Sequence, residues 1–85
     1  MDRPRPSPDV VYQDVEGDAV LVHLRANRIY ALNRTGARLW HLLTAGYDRE
    51  RIAEELAREF DVDRAELERE IDALLDHLAA EDLIQ

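Results

Sequence analysis

The chain has 85 residues, with 19 Asp plus Glu against 11 Lys plus Arg, 46% hydrophobic residues, 35% charged residues and no cysteine. That length makes one domain, too apolar for a disordered tail and too charged for a membrane span. Without thiols there is no disulfide, thiolate catalysis or Cys-ligated zinc, and no apolar stretch approaches the ~20 residues a bilayer crossing needs. The opening MDRPRPSPDV lacks the apolar stretch of a secretion signal, so a cytoplasmic domain is expected.

The prolines Pro4, Pro6 and Pro8 fall within residues 1–9, which predicts an extended, mobile arm before a domain over residues 10–85. A short first strand follows at Val10, Val11 and Tyr12, and Glu16, Gly17 and Asp18 supply turn chemistry. Ala19 to Leu24 and Arg28 to Leu32 read as the second and third strands. Asn27 suits the left-handed end of a three-residue loop, which pairs Leu24 with Arg28, Val22 with Tyr30 and Val20 with Leu32. Val20, Val22, Leu24, Tyr30 and Leu32 then share one face, and Leu21, His23, Ile29 and Ala31 the other. A two-residue loop inverts the facing of the third strand. The longer loop is preferred because it gathers the larger apolar residues.

After Asn33 the hydrophobic period becomes helical. Asn33 caps a helix over Arg34 to Thr44, with Leu39, Trp40 and Leu43 as its stripe and Gly46 beyond its end. Asp48 caps a second helix carrying Ile52, Ala53, Leu56, Ala57 and Phe60. Asp63, with Glu66 three residues on, caps a third that runs to about Glu81 and carries Leu67, Ile71, Leu74, Leu75 and Leu78. Leu83 and Ile84 are expected to fold back on the core. The order β-β-β-α-α-α predicts an α+β, winged helix-turn-helix-like domain, a three-stranded antiparallel sheet followed by three helices.

Catalytic chemistry finds little support. Ser7, Thr35, Thr44 and the tyrosines lack an elbow motif, and His23, His41 and His77 fall singly on different elements. The isolated glycines make no phosphate loop. A non-enzyme without metal or cofactor is expected. Charge narrows the partners. Residues 1–47 are net +1 and residues 48–85 net −9, every basic residue being arginine. The third helix carries Glu66, Glu68, Glu70, Asp72 and Asp76 against Arg64 and Arg69. That argues against a DNA-binding winged helix and suits a basic peptide.

The chemistry that is present is an open edge. The third strand, Arg28-Ile29-Tyr30-Ala31-Leu32, has no predicted outer neighbour, so an extended peptide can add beside it. The same edge also serves a reading as a dimerising structural subunit, and coverage by the Pro-rich arm is a further alternative. On the helical wheel Ile71 and Leu78 centre the apolar stripe of the third helix, with Glu70 and Leu74 toward one margin and Glu68 and Leu75 toward the other. The wheel leaves open which margin faces the strand.

The run Tyr30-Ala31-Leu32-Asn33-Arg34-Thr35-Gly36-Ala37-Arg38-Leu39-Trp40, then Leu42-Leu43, resembles the signature of PqqD-like proteins, as does Ile52-Ala53-Glu54-Glu55-Leu56 through Phe60-Asp61-Val62 and on to Leu78. The likeness spans residues 10–84; it departs at Glu81-Asp82, where many relatives carry a glycine. It implies a recognition element for ribosomally made, modified peptides, which binds a precursor's leader between strand 3 and helix 3. The implied groove has Arg28, Ile29, Tyr30, Ala31 and Leu32 as its strand wall and Leu67, Glu70, Ile71, Leu74 and Leu78 on its helix wall. Glu70 aligns with an acidic position usual in the family, which points to its margin. Implied partners are the precursor peptide, a leader peptidase and a cyclase of a lasso-peptide pathway, with no nucleic acid or membrane and a monomer or weak dimer as the solution state. The alternative is a quinone-cofactor pathway with a radical-SAM enzyme.

Overall fold

The computed structural model describes residues 3–85. The elements run β1 (Val10–Val15), β2 (Asp18–His23), β3 (Arg28–Leu32), α1 (Arg34–Thr44), α2 (Arg49–Glu59) and α3 (Arg64–Ala80). The fold is the expected three antiparallel strands followed by three helices, with sheet order β1-β2-β3. β1 and β2 meet through Glu16 and Gly17, both at positive φ (52° and 93°), the mirror-image turn whose twist suits a two-residue hairpin.

The register between β2 and β3 differs from the expected one by a residue. His23 pairs with Arg28, Leu21 with Tyr30 and Ala19 with Leu32, so the loop is four residues long, Leu24 to Asn27. Its closure uses a side chain: His23 Nδ1 accepts a hydrogen bond from the Ala26 amide at 3.2 Å, and Asn27 takes the left-handed conformation (φ 57°). Tyr30 and Leu32 face inward as expected. On β2, however, Ala19, Leu21 and His23 are the buried set, while Val20 and Val22 face out and Leu24 is exposed in the loop.

All three helices start where their caps predict. The side chains of Asn33, Asp48 and Asp63 accept from the amides of Gly36, Arg51 and Glu66. α1 lies under the sheet and carries Trp40, Leu39 and Leu43 into a core shared with Leu21, Ile52, Leu56, Ile71 and Leu78. Leu83 is fully buried, and its amide donates to the Leu78 carbonyl at 2.8 Å, which folds the tail back as expected.

The N-terminal segment is extended but tied down. Ser7 N donates to Leu83 O at 3.0 Å and Gln85 N to Arg5 O at 2.7 Å, a short antiparallel pairing of the two ends. Pro4 and Ser7 are buried. This differs from a mobile arm, because the tail supplies the backbone partners that a free arm would seek in water.

Candidate functional site

The two edges of the sheet differ from its centre in one physical respect: half of their backbone groups point away from any strand. An antiparallel ladder alternates which side each residue's N–H and C=O address. The Leu24 amide donates to Asp9 O across β1 and β2. The even-numbered residues of β2 therefore bond β1, and Ala19, Leu21 and His23 bond β3. In β3, Arg28, Tyr30 and Leu32 point their backbone groups at β2. Ile29 and Ala31 point theirs outward. The open edge is thus two residues deep, with two donors and two acceptors set to receive one extended segment.

Beside this edge runs α3, with hollows between the two at both ends of β3. A cleft of about 340 Å³ opens at the C-terminal end. Ala31 and Leu32 line it from the strand, and Leu67, Glu70, Ile71 and Leu74 from the helix. Those six are expected site residues, and they settle which margin of α3 faces the strand: it is the Glu70 and Leu74 side. Glu68 and Asp72, toward the other margin, bind Arg49 of α2, at 2.6 and 2.8 Å. Leu75 lies beside Pro4 and Ile84.

Four expected residues stand outside the cleft. Leu78 is fully buried in the core and lines no surface, because the centre of the α3 stripe packs against the interior. Ile29 directs its side chain to the outer face of the sheet and is 73% exposed; only its backbone faces the added-strand position. Arg28 and Tyr30 line a second, polar hollow of about 530 Å³ at the opposite end of β3, with His23, Asp9 and Glu81.

A clasp stands at this second end. The Tyr30 hydroxyl donates to Glu81 Oε1 at 2.7 Å, and Arg28 Nη1 donates to the same oxygen at 3.1 Å. The Tyr30 hydrogen bond, with help from the Arg28 charge, holds the Glu81 carboxyl below the usual carboxylate range against the opposing effect of desolvation. Tyr30 is pushed up in turn, chiefly because the Glu81 carboxylate accepts its proton in that bond. The clasp fixes the C-terminal end of α3 against the start of β3, leaving the other end of the groove open.

The start of α1 completes the cleft, a contribution that periodicity does not reveal. Asn33, Thr35, Gly36 and Leu39 line it, together with Ala73 of α3. A Cβ on Gly36 would lie 3.4 Å from Leu32 Cβ and 3.5 Å from Leu74 Cδ2, so a larger residue there fills the cleft floor.

Among the described residues no group of three or more His, Cys, Asp or Glu side chains is placed to hold a metal ion. The glutamates with shifted ionisation, Glu59, Glu68 and Glu81, each owe the shift first to an Arg or Tyr hydrogen bond that favours the charged form. That is the opposite of a general acid poised near neutrality. None of the described helices is long and apolar enough to cross a membrane.

Three antiparallel strands followed by three helices define a small winged-helix-like domain, with an open β3 edge and a cleft between that strand and α3. The chain belongs to the PqqD family: the model for coenzyme PQQ synthesis protein D (PqqD) matches residues 18–84. It is similar to the solved structure "TbiB1 in Complex with the TbiA(beta) Leader Peptide", with a TM-score of 0.90 and 32% identity over 95% of this chain and 94% of that one. It is also similar to "Lasso peptide synthetase B1 complexed with the leader peptide", with a TM-score of 0.87 and 26% identity over 98% of each chain. No curated protein matches it.

Proposed function

We propose that this protein is a non-catalytic adaptor that binds the leader of a ribosomal precursor peptide as a fourth strand on β3 and presents it to processing enzymes of a lasso-peptide pathway. The observation that carries the reading is the outward backbone of Ile29 and Ala31 beside an apolar cleft. Two similar chains have structures described as complexes with leader peptides. Backbone hydrogen bonds at Ile29 and Ala31 supply affinity, and alternate leader side chains turn toward α3. One apolar side chain enters the cleft against Leu32, Leu67, Ile71 and Leu74. Glu70 stands at the rim, where it favours a basic leader residue.

The same residues argue for binding rather than catalysis, since a leader held as a strand meets backbone amides, apolar carbon and the exposed Glu70 carboxylate. The partners are the precursor, a leader peptidase and a cyclase, and the setting is the cytoplasm. One observation supports a second pathway: the family model is that of a coenzyme PQQ synthesis protein, which fits a radical-SAM partner. The neighbouring reading frames separate the two. A peptidase beside an asparagine-synthetase-like cyclase fits the lasso pathway, and a radical-SAM enzyme fits the other.

The direct test is fluorescence polarisation with two labelled probes, the TbiA(beta) leader and the precursor peptide encoded beside this chain. The expected result is binding of its own precursor at about micromolar Kd or tighter, lost on Ile29→Pro. Absence of binding by the folded wild-type chain to both probes overturns the proposal.

A further inference from the structure

No described residue lines both hollows beside β3. On the strand the division falls between Tyr30, in the polar hollow, and Ala31, in the apolar cleft. A side-chain bridge crosses the groove at this point, from the Tyr30 hydroxyl to Glu81 Oε1 at 2.7 Å. Backbone holds Glu81 in place. It caps α3, its amide donating to the His77 carbonyl at 3.1 Å, and Asp82 beyond it takes a left-handed turn (φ 59°) that sends Leu83 into the core. Arg28 reaches the same oxygen at 3.1 Å, so both donors share Oε1, and Oε2 has no hydrogen-bond partner among the described residues. A hydroxyl bonded to a carboxylate is a charge-assisted contact, stronger than the exposed Arg28 pair beside it.

Leader residues that pair opposite Leu32 and Tyr30 point their side chains inward, because cross-strand partners share a face. The first enters the apolar cleft. The second, two leader residues along and about 7 Å away, comes down on the Tyr30–Glu81 bridge. We propose that Glu81 is a specificity-determining residue: through this bridge it limits the groove to one deep apolar anchor and selects a small, uncharged hydrogen-bonding side chain two residues from it. This rests on the leader-binding reading and adds the class of leader that the groove takes.

A large apolar side chain at that second position meets one of two penalties. Left above the bridge, it covers the Glu81 carboxylate and withdraws water from it without supplying a hydrogen bond. Driven downward, it parts the Tyr30 hydroxyl from Oε1 and leaves the carboxylate with the exposed Arg28 alone. A serine, threonine or asparagine side chain meets neither, since its O–H or N–H donates to Oε2. An added cation gains Glu81 but stands beside Arg28, and an added carboxylate does the reverse, so the bridge favours an uncharged donor.

The experiment is polarisation titration with labelled precursor, beginning with an alanine scan that locates the anchor as the apolar leader residue whose loss weakens binding most. Serine and leucine are then placed in turn two residues before it and two residues after it. At one of the two positions, wild type is expected to bind the leucine peptide about tenfold more weakly than the serine peptide. Glu81→Ala is expected to shrink that ratio to within about twofold, whereas Glu81→Gln, whose amide oxygen still accepts from Tyr30, keeps most of it. Tyr30→Phe releases the bridge from the other side and is expected to reduce the ratio too, with thermal melts confirming that each variant folds. Equal binding of the serine and leucine peptides by wild type at both positions overturns the proposal. So does a ratio unchanged in the folded variants, or a uniform loss of affinity for every peptide, since either makes the clasp structural only. Failure of wild type to bind its precursor is a different result, and removes the leader reading itself.

Discussion

The two margins of α3 carry the same kind of side chain to opposite ends. On the margin toward α2, Glu68 accepts from Arg49 and Arg64, and Asp72 from Arg49. On the groove margin, Glu66 and Glu70 make no ion pair among the described residues. Arginine placement therefore divides one acidic helix into a packed side and a receptive side. Exposed ion pairs contribute little to stability; their consequence here is electrostatic. The charges of Glu66 and Glu70 are left uncompensated on the margin where a peptide would arrive.

The comparison breaks most visibly at the strand edge. Ile29→Pro removes an outward donor while leaving the β2–β3 ladder intact, and the ring suits an edge position. Precursor affinity is expected to fall about tenfold or more, about 1.4 kcal/mol, with thermal stability little changed. Polarisation titration and calorimetry on one sample check both halves.

Leu74→Ala comes next. Leu74 is half-buried at the cleft wall, so its loss removes an anchor for the bound side chain, worth roughly 1–2 kcal/mol, or about 5- to 30-fold in Kd. Leu78→Ala is the contrast: it creates a core cavity and is expected to cost about 2–5 kcal/mol of stability. Urea unfolding beside titration separates the two.

A charge swap sharpens the margins themselves. Glu70→Lys is expected to weaken a basic leader by about three- to fivefold at low salt, with most of the effect gone near 1 M salt. Asp72→Lys faces Arg49 instead and is expected to lower the unfolding temperature without that binding loss.

The smallest effect concerns the clasp. Glu81 has a depressed pKa in the fold, so its stabilising contribution is present above the ordinary carboxylate value of 4.5 and is lost as pH falls through the lower native value. Tyr30→Phe removes the first cause of that depression. The variant is expected to be slightly less stable than wild type near neutrality, the difference closing in acid. Thermal melts across pH 2 to 7 measure it.

Helices were legible because their stops are local chemistry: Asn33, Asp48 and Asp63 are side chains that bond amides three residues on. The β2 register was not. Val20 and Val22 on one side and Leu21 with Ala19 on the other give two apolar faces, so hydrophobic pattern does not say which is inside. What decides is the His23 bond to Ala26 and the four-residue loop it closes. Ala31, Leu32, Leu67, Ile71 and Leu74 of the cleft were readable from the edge and the α3 stripe and the Glu70 margin from the family resemblance, whereas Arg28, Ile29, Tyr30 and Leu78 were expected there and stand outside it. Thr35, Gly36, Leu39 and Glu81 were not readable, because their place depends on how α1 and the end of α3 meet β3 in three dimensions.

The central claim is that Ile29 and Ala31 offer their backbone to an incoming strand. Residue-resolved amide hydrogen exchange, with and without saturating precursor, tests it most directly. The account predicts rapid exchange at Ile29 and Ala31 in the free protein and strong protection in the complex, with Tyr30 protected in both. Persistently rapid exchange at Ile29 and Ala31 in a saturated complex would contradict it.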